Sequence, residues 1–159
     1  VNKNKYVIIF ILISMLLIGC SKNYMTSIYN DNEKISSDTN SFNLDVKEQS
    51  IDGQKFKGVI EKIEGMDTIW TYEADKDTVL DITYLLNVSS GKSKLVLIYP
   101  DSSVTTIIET TKDSEVVDYA TNPMQIKKGL NKIKIVADEN TSLEFNISIP
   151  NGEFEELGM

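Results

Sequence analysis

Thr78-Val79-Leu80-Asp81-Ile82-Thr83-Tyr84-Leu85-Leu86-Asn87-Val88 is the stretch that decides the fold. Leu80, Ile82, Tyr84, Leu86 and Val88 fall at every second position, with Asp81, Thr83 and Asn87 between them. A period of two belongs to a strand with one buried and one wet face; a helix needs spacings of three and four. Ser89-Ser90-Gly91-Lys92 follows as a tight-turn signal, so a hairpin with Ser93–Tyr99 is expected. Leu95 to Tyr99 is apolar on both faces, as a central strand would be.

The same texture extends both ways. Upstream, Phe42–Val46 alternates, and Lys55–Glu64 carries Phe56, Val59, Ile60 and Ile63, with Gly58 marking an expected bulge. Thr68–Ala74 sets Trp70, Tyr72 and Ala74 on one face. Downstream, Val104–Thr110 continues as β after the turn at Pro100-Asp101, while 116–122 is ambiguous. Met124–Lys127 is a short strand. Asn131–Ala137 and Leu143–Ile149 alternate cleanly around an expected turn at Asp138-Glu139-Asn140. Eight or nine strands and no long amphipathic helix predict an all-β fold: an antiparallel two-sheet sandwich, jelly-roll-like. Its core is expected from Trp70, Tyr72, Leu80, Ile82, Tyr84, Leu86, Leu95, Leu97, Ile133, Ile135, Phe145 and Ile147.

The N-terminus is of a different kind. Lys3 and Lys5 precede an apolar run from Tyr6 to Ile18. At 1.5 Å per residue that run is about 20 Å long, short of a bilayer core but the right length for a secretory leader. Leu17-Ile18-Gly19-Cys20 resembles the lipobox of bacterial lipoprotein signal peptides. The resemblance implies a diacylglycerol on the Cys20 sulfur, with acyl chains such as palmitate, and cleavage after Gly19. Two acyl chains meet the condition for stable anchoring. The expected organisation is a signal peptide over 1–19, a lipidated flexible tether over 20–41, a sandwich domain over 42–150 and an acidic tail over 151–159. The tether is rich in Ser, Asn, Asp and Thr, and its reach would be roughly 25 Å.

Composition excludes several chemistries. There is no histidine, every basic residue is lysine, and Cys20 is the sole thiol. Ser-His-Asp and Cys-His nucleophile systems are therefore absent, as are His-ligated metal sites and the bidentate arginine fork. No disulfide can form within the chain. A formal net charge of −8 disfavours nucleic acid. The richness in Lys, Asn, Ile and Ser suggests an A/T-rich bacterial genome, and the anchor that the lipobox resemblance implies would place the domain on the extracytoplasmic face of the cell membrane.

Candidate ligand-binding residues are Trp70, Tyr99 and Tyr119, because flat aromatic faces suit sugar rings; core packing is the favoured reading of Trp70 and Tyr72, and Tyr99 and Tyr119 are the better exposed candidates. Lys127, Lys128, Lys132 and Lys134 form a basic strip that suits either acidic polymer or solvent. Asp75, Asp77 and Asp81 read as a solvated turn, since they lack calcium-loop spacing. No catalytic residue, metal site or cofactor is assigned. Gly91–Ile98 before Pro100-Asp101, with Ile126–Ile133, resembles small secreted bacterial β-sandwich proteins of no assigned role. The second stretch is also similar to a late strand pair of jelly-roll carbohydrate-binding modules. The expected function is a non-enzymatic envelope lipoprotein, anchored to the membrane through Cys20, that binds a partner protein or cell-wall glycan. A structural subunit of a membrane complex and a small carboxylate-dependent hydrolase are the alternatives.

Overall fold

The computed structural model describes residues 24–115 and 118–159. Leu17-Ile18-Gly19-Cys20, and with it the expected leader, lies outside them. Two short helices, α1 (Tyr24–Ile28) and α2 (Asn32–Ser36), precede eight strands. These are β1 (Ser41–Asp52), β2 (Lys55–Ala74), β3 (Thr78–Ser90), β4 (Lys92–Ile98), β5 (Val104–Thr111), β6 (Ala120–Ile126), β7 (Gly129–Ser148) and β8 (Glu153–Phe154). Every pairing is antiparallel.

β2 and β7 organise the sandwich. Each is 20 residues long, and they pair nearly end to end. Lys55–Ile60 with Leu143–Ser148 lies in a first layer with β1, β3 and β6. Gly65–Ala74 with Gly129–Ala137 lies in a second layer with β4 and β5. Register shifts between Ile60 and Gly65 mark the passage from one layer to the other. Asp138-Glu139-Asn140, the expected turn, is a bulge within continuous β7, with Asn140 at φ 52°. Bulges let one strand serve two sheets by sharpening its bend.

The expected hairpin between Thr78–Val88 and Ser93–Tyr99 is corrected. β3 pairs with β6 and β7, whereas β4 pairs with β5 and β7. The chain turns a corner at Gly91 and keeps β7 as its neighbour: Ser90 lies opposite Ser142 and Ser93 opposite Ala137. Gly91 has φ +75°, and a Cβ there would strike Thr141. The Thr141 hydroxyl donates to the Lys92 carbonyl at 3.0 Å and accepts from the Lys92 N–H at 3.3 Å, fixing the corner. Turn residues mark a change of direction; they do not say which edge the next strand will find.

The interior joins both layers. Phe56, Ile60, Ile82, Tyr84, Leu86, Phe145 and Ile147 from the first meet Trp70, Leu95, Leu97, Ile133 and Ile135 from the second. Burial along β3 alternates as its sequence does. β4 is buried on both faces because Leu95 and Leu97 point inward, while Val96 and Ile98 join a second cluster outside.

That second cluster corrects the tether. Ile28, Tyr29 and Ile35, on and beside α1 and α2, are buried against Met66, Val96, Ile98 and Val136 on the outer face of the second layer. Helices of five residues do not persist alone in water, so this packing is what holds them. The acidic tail is corrected too. β8 pairs with Trp70 and Thr71, and Leu157 is buried in the main core. The packed unit therefore runs from Tyr24 to the last residues of the chain. Sparse apolar residues in a polar run suffice when each meets a prepared hollow.

Candidate functional site

The outer face of the first layer is built from two rows that the register fixes. Ser50, Lys57, Asn146 and Leu85 lie side by side across β1, β2, β7 and β3, and Glu48, Val59, Glu144 and Asn87 form the next row. They alternate with Phe56, Gly58 and Ile60, which point into the core. Gly58 lets the Phe145 ring sit against the β2 backbone, since a Cβ there would lie 2.7 Å from the ring. The result is a groove of about 350 Å³ lined by these rows, Asn87 excepted, and by Tyr119.

Tyr119 stands at the groove with more than half its surface exposed, 57%. Its hydroxyl accepts a hydrogen bond from the Asn146 amide at 2.7 Å, which steadies the ring. At the β1 edge, Gln49 accepts from the Leu157 N–H at 3.0 Å and donates to its carbonyl at 3.1 Å, binding the C-terminal segment to the groove wall. Glu48, Lys57 and Glu144 make no side-chain hydrogen bond or ion pair among the described residues. Glu48 and Glu144 flank Val59 two strands apart, about 10 Å between backbones. The groove thus offers one aromatic face, an amide, a hydroxyl, two carboxylates and an ammonium.

The three aromatic candidates do not form one platform. Trp70 is completely buried, its indole N–H donating to the Asn151 carbonyl at 2.8 Å, so it belongs to the core and not to a binding surface. Tyr72 is half-buried beside it, ring centroids 5.9 Å apart. Tyr99 is half-buried with the Lys127 ammonium 4.7 Å over its ring, and it borders two other grooves. Of the three, only Tyr119 lines the groove on the outer face of the first layer.

The basic strip is also corrected. Lys134 is fully buried and donates to the carbonyls of Ser37 and Thr39 at 2.8 and 3.0 Å. Lys132 pairs with Asp38 at 2.7 Å, and Lys127 with Asp101 at 3.1 Å. These lysines hold the N-terminal segment and a loop; they do not offer a continuous charged surface. Burial pushes the Lys134 ammonium down to about 8. Burial lifts the Asp67 carboxyl to about 6, although it accepts from the Gly158 N–H at 2.8 Å. Of the aspartates near the β2–β3 turn, Asp77 accepts from the Lys128 N–H at 2.8 Å. Among the described residues no three His, Cys, Asp or Glu side chains gather as metal ligands would.

Glu48, Lys57, Glu144 and Asn146 escaped the sequence reading. Each is a polar residue at an outward strand position, indistinguishable by pattern from a solvated one. Only the register across four strands collects them.

No protein-family model and no curated protein matches the chain. Among solved structures, it is similar to a family 35 carbohydrate-binding module from an environmental isolate, with 15% identity over 76% of this chain and 90% of that one, TM-score 0.42. It is similar to a carbohydrate-binding module, CBM4, with 10% identity over 70% and 78%, TM-score 0.35. A third is a carbohydrate-binding module from Cellvibrio mixtus lichenase 5A in complex with cellotriose, with 13% identity over 68% and 95%, TM-score 0.33. The all-β antiparallel sandwich follows from the strand register itself, and these chains share only its general form.

Proposed function

We propose that this is a non-enzymatic binding protein of the bacterial envelope, anchored through lipid on Cys20, whose groove at Tyr119 holds a glycan. One observation carries the reading. The outer face of the second layer is covered by α1 and α2, while the groove lies open on the opposite face with an exposed tyrosine among hydrogen-bonding side chains. A sugar ring presents C–H groups for an aromatic face and hydroxyls for amides and carboxylates.

Four residue steps separate Cys20 from Tyr24, where α1 begins, a span of about 14 Å at most. A lipid on Cys20 would hold the helix-bearing side near the bilayer and turn the groove toward the wall. The body would sit on a short leash in place of the long tether.

Two measurements test this together. Wild-type protein should take up labelled fatty acid, and Cys20→Ser should not. Wild-type protein should sediment with purified cell-wall polysaccharide, and Tyr119→Ala should not. Equal fatty-acid labelling of Cys20→Ser would overturn the anchor, and equal sedimentation of Tyr119→Ala would overturn the groove. Release of reducing ends from the polysaccharide would favour the hydrolase alternative.

A further inference from the structure

The charge layout of the groove narrows the ligand, on the footing that the groove binds glycan. We infer that it selects a glycan carrying free primary amines over a neutral or N-acetylated one.

Glu48 and Glu144 face outward on either side of Val59, in one row of the sheet. Valine is too short to screen them from anything lying on the row. The single lysine of the groove, Lys57, lies in the neighbouring row between Ser50 and Asn146 and pairs with neither glutamate. Lys92 and Asp138 show the cross-strand pairing, at 3.3 Å, that these three charges do not make. In the groove two carboxylates outnumber one ammonium.

A neutral sugar seated on Val59 would strip water from both carboxylates and return only hydroxyl donors. An ammonium on the sugar supplies three N–H donors and the opposing charge. Charge-assisted bonds of that kind are about twice as strong as neutral ones. The exposed Tyr119 ring adds a face on which an ammonium is also favourable. Lys57, one row along, repels a second amine and favours a hydroxyl or an anionic group there. The preferred ligand is therefore an amino sugar with one amine over the Glu48–Glu144 row.

Calorimetric titration of the full lipidated protein in detergent tests this with three probes of equal length: a glucosamine oligomer, its N-acetylated form and a glucose oligomer. The glucosamine oligomer should bind tighter than either by about tenfold or more, the scale of one charge-assisted hydrogen bond. Glu48→Gln and Glu144→Gln should each remove most of that preference and leave neutral binding in place. Glu139→Gln, exposed and outside the groove, should change nothing. Equal affinity for all three probes would overturn the amine preference and leave glycan binding standing. An equal loss in Glu139→Gln would reduce the effect to attraction between a polycation and an acidic protein, and overturn it. No binding of any probe would overturn both readings.

Discussion

The ammonium of Lys134, buried in the first half of β7, donates to the carbonyl of Ser37 across 2.8 Å, tying the segment after α2 to the sheet. The same nitrogen donates to the Thr39 carbonyl at 3.0 Å. Two backbone acceptors that no strand or helix uses are satisfied by one side chain. Around this clamp, Asn40 accepts from the Thr68 N–H at 3.1 Å, and Tyr29 donates to Glu109 at 2.9 Å while Lys92 and Lys94 lie over its ring. The N-terminal segment is thus built into the body.

Lys134→Ala should destabilise the protein by about 2–4 kcal/mol, since it opens a cavity and removes two charge-assisted hydrogen bonds to the Ser37 and Thr39 carbonyls. Lys134→Met keeps most of the volume and loses the bonds, so its cost should be about 1–3 kcal/mol. Urea denaturation measures both. Values within error of wild type would mean that the clamp does not hold the segment.

Stability should depend on pH in two windows. Asp67 is raised by burial to about 6, so between about 4 and 6 the folded chain keeps a proton that the unfolded chain has lost. Its contribution falls as pH rises through that window. Lys134 is lowered by burial to about 8, so between about 8 and 10.5 the unfolded chain holds the extra proton, and stability rises with pH there. Asp67→Asn should therefore gain relative to wild type from pH 4 to 6 and show no further change up to 8. A difference independent of pH would place the Asp67 carboxyl at its ordinary value.

Trp70, the single tryptophan, should emit as a fully shielded indole and resist acrylamide quenching. Its emission should not respond to ligand in the groove. Gly152→Ala tests the packing around it. Gly152 has φ +84°, and a Cβ there would lie 2.5 Å from the indole, so the substitution should cost about 1–3 kcal/mol. A red-shifted, quenchable indole should accompany that loss. An unaltered spectrum with unaltered stability would mean that the C-terminal segment does not pack on Trp70.

Tyr119→Ala should leave the unfolding midpoint within about 0.5 kcal/mol of wild type, because the ring is largely exposed. Glycan affinity should drop by about tenfold or more, since aromatic contacts carry much of a binding energy. Asn146→Ala removes the bond that steadies the ring and should weaken binding less than Tyr119→Ala does. The reverse order would make Asn146 the principal contact.

Much of the sandwich was legible strand by strand. Leu80, Ile82, Tyr84, Leu86 and Val88 announced their common face, and Leu95 to Tyr99 announced a strand covered on both sides, which ends one residue earlier, at Ile98. Neighbours were not legible. Gly91 read as a hairpin turn and proved to be a corner, because β7 bends and offers the same edge on both sides of it. Lys134 read as a solvated residue because alternation assigns faces only; the helices that cover its face lie far away in sequence. Of the site, Tyr119 was visible as an aromatic beside a polar residue, and Glu48, Glu144 and Asn146 were not.

Residue order alone determined the strand period, the inward sets, the absence of histidine, arginine and disulfide chemistry, and the expectation of a lipid on Cys20. These are local or compositional properties, set by covalent geometry and by which side chains exist. Tertiary structure decided the rest: two long strands shared between layers, a covered face and an open one, and a groove assembled from four strands. Register is a relation between distant segments, settled by the packing of all of them at once, and no single segment carries it.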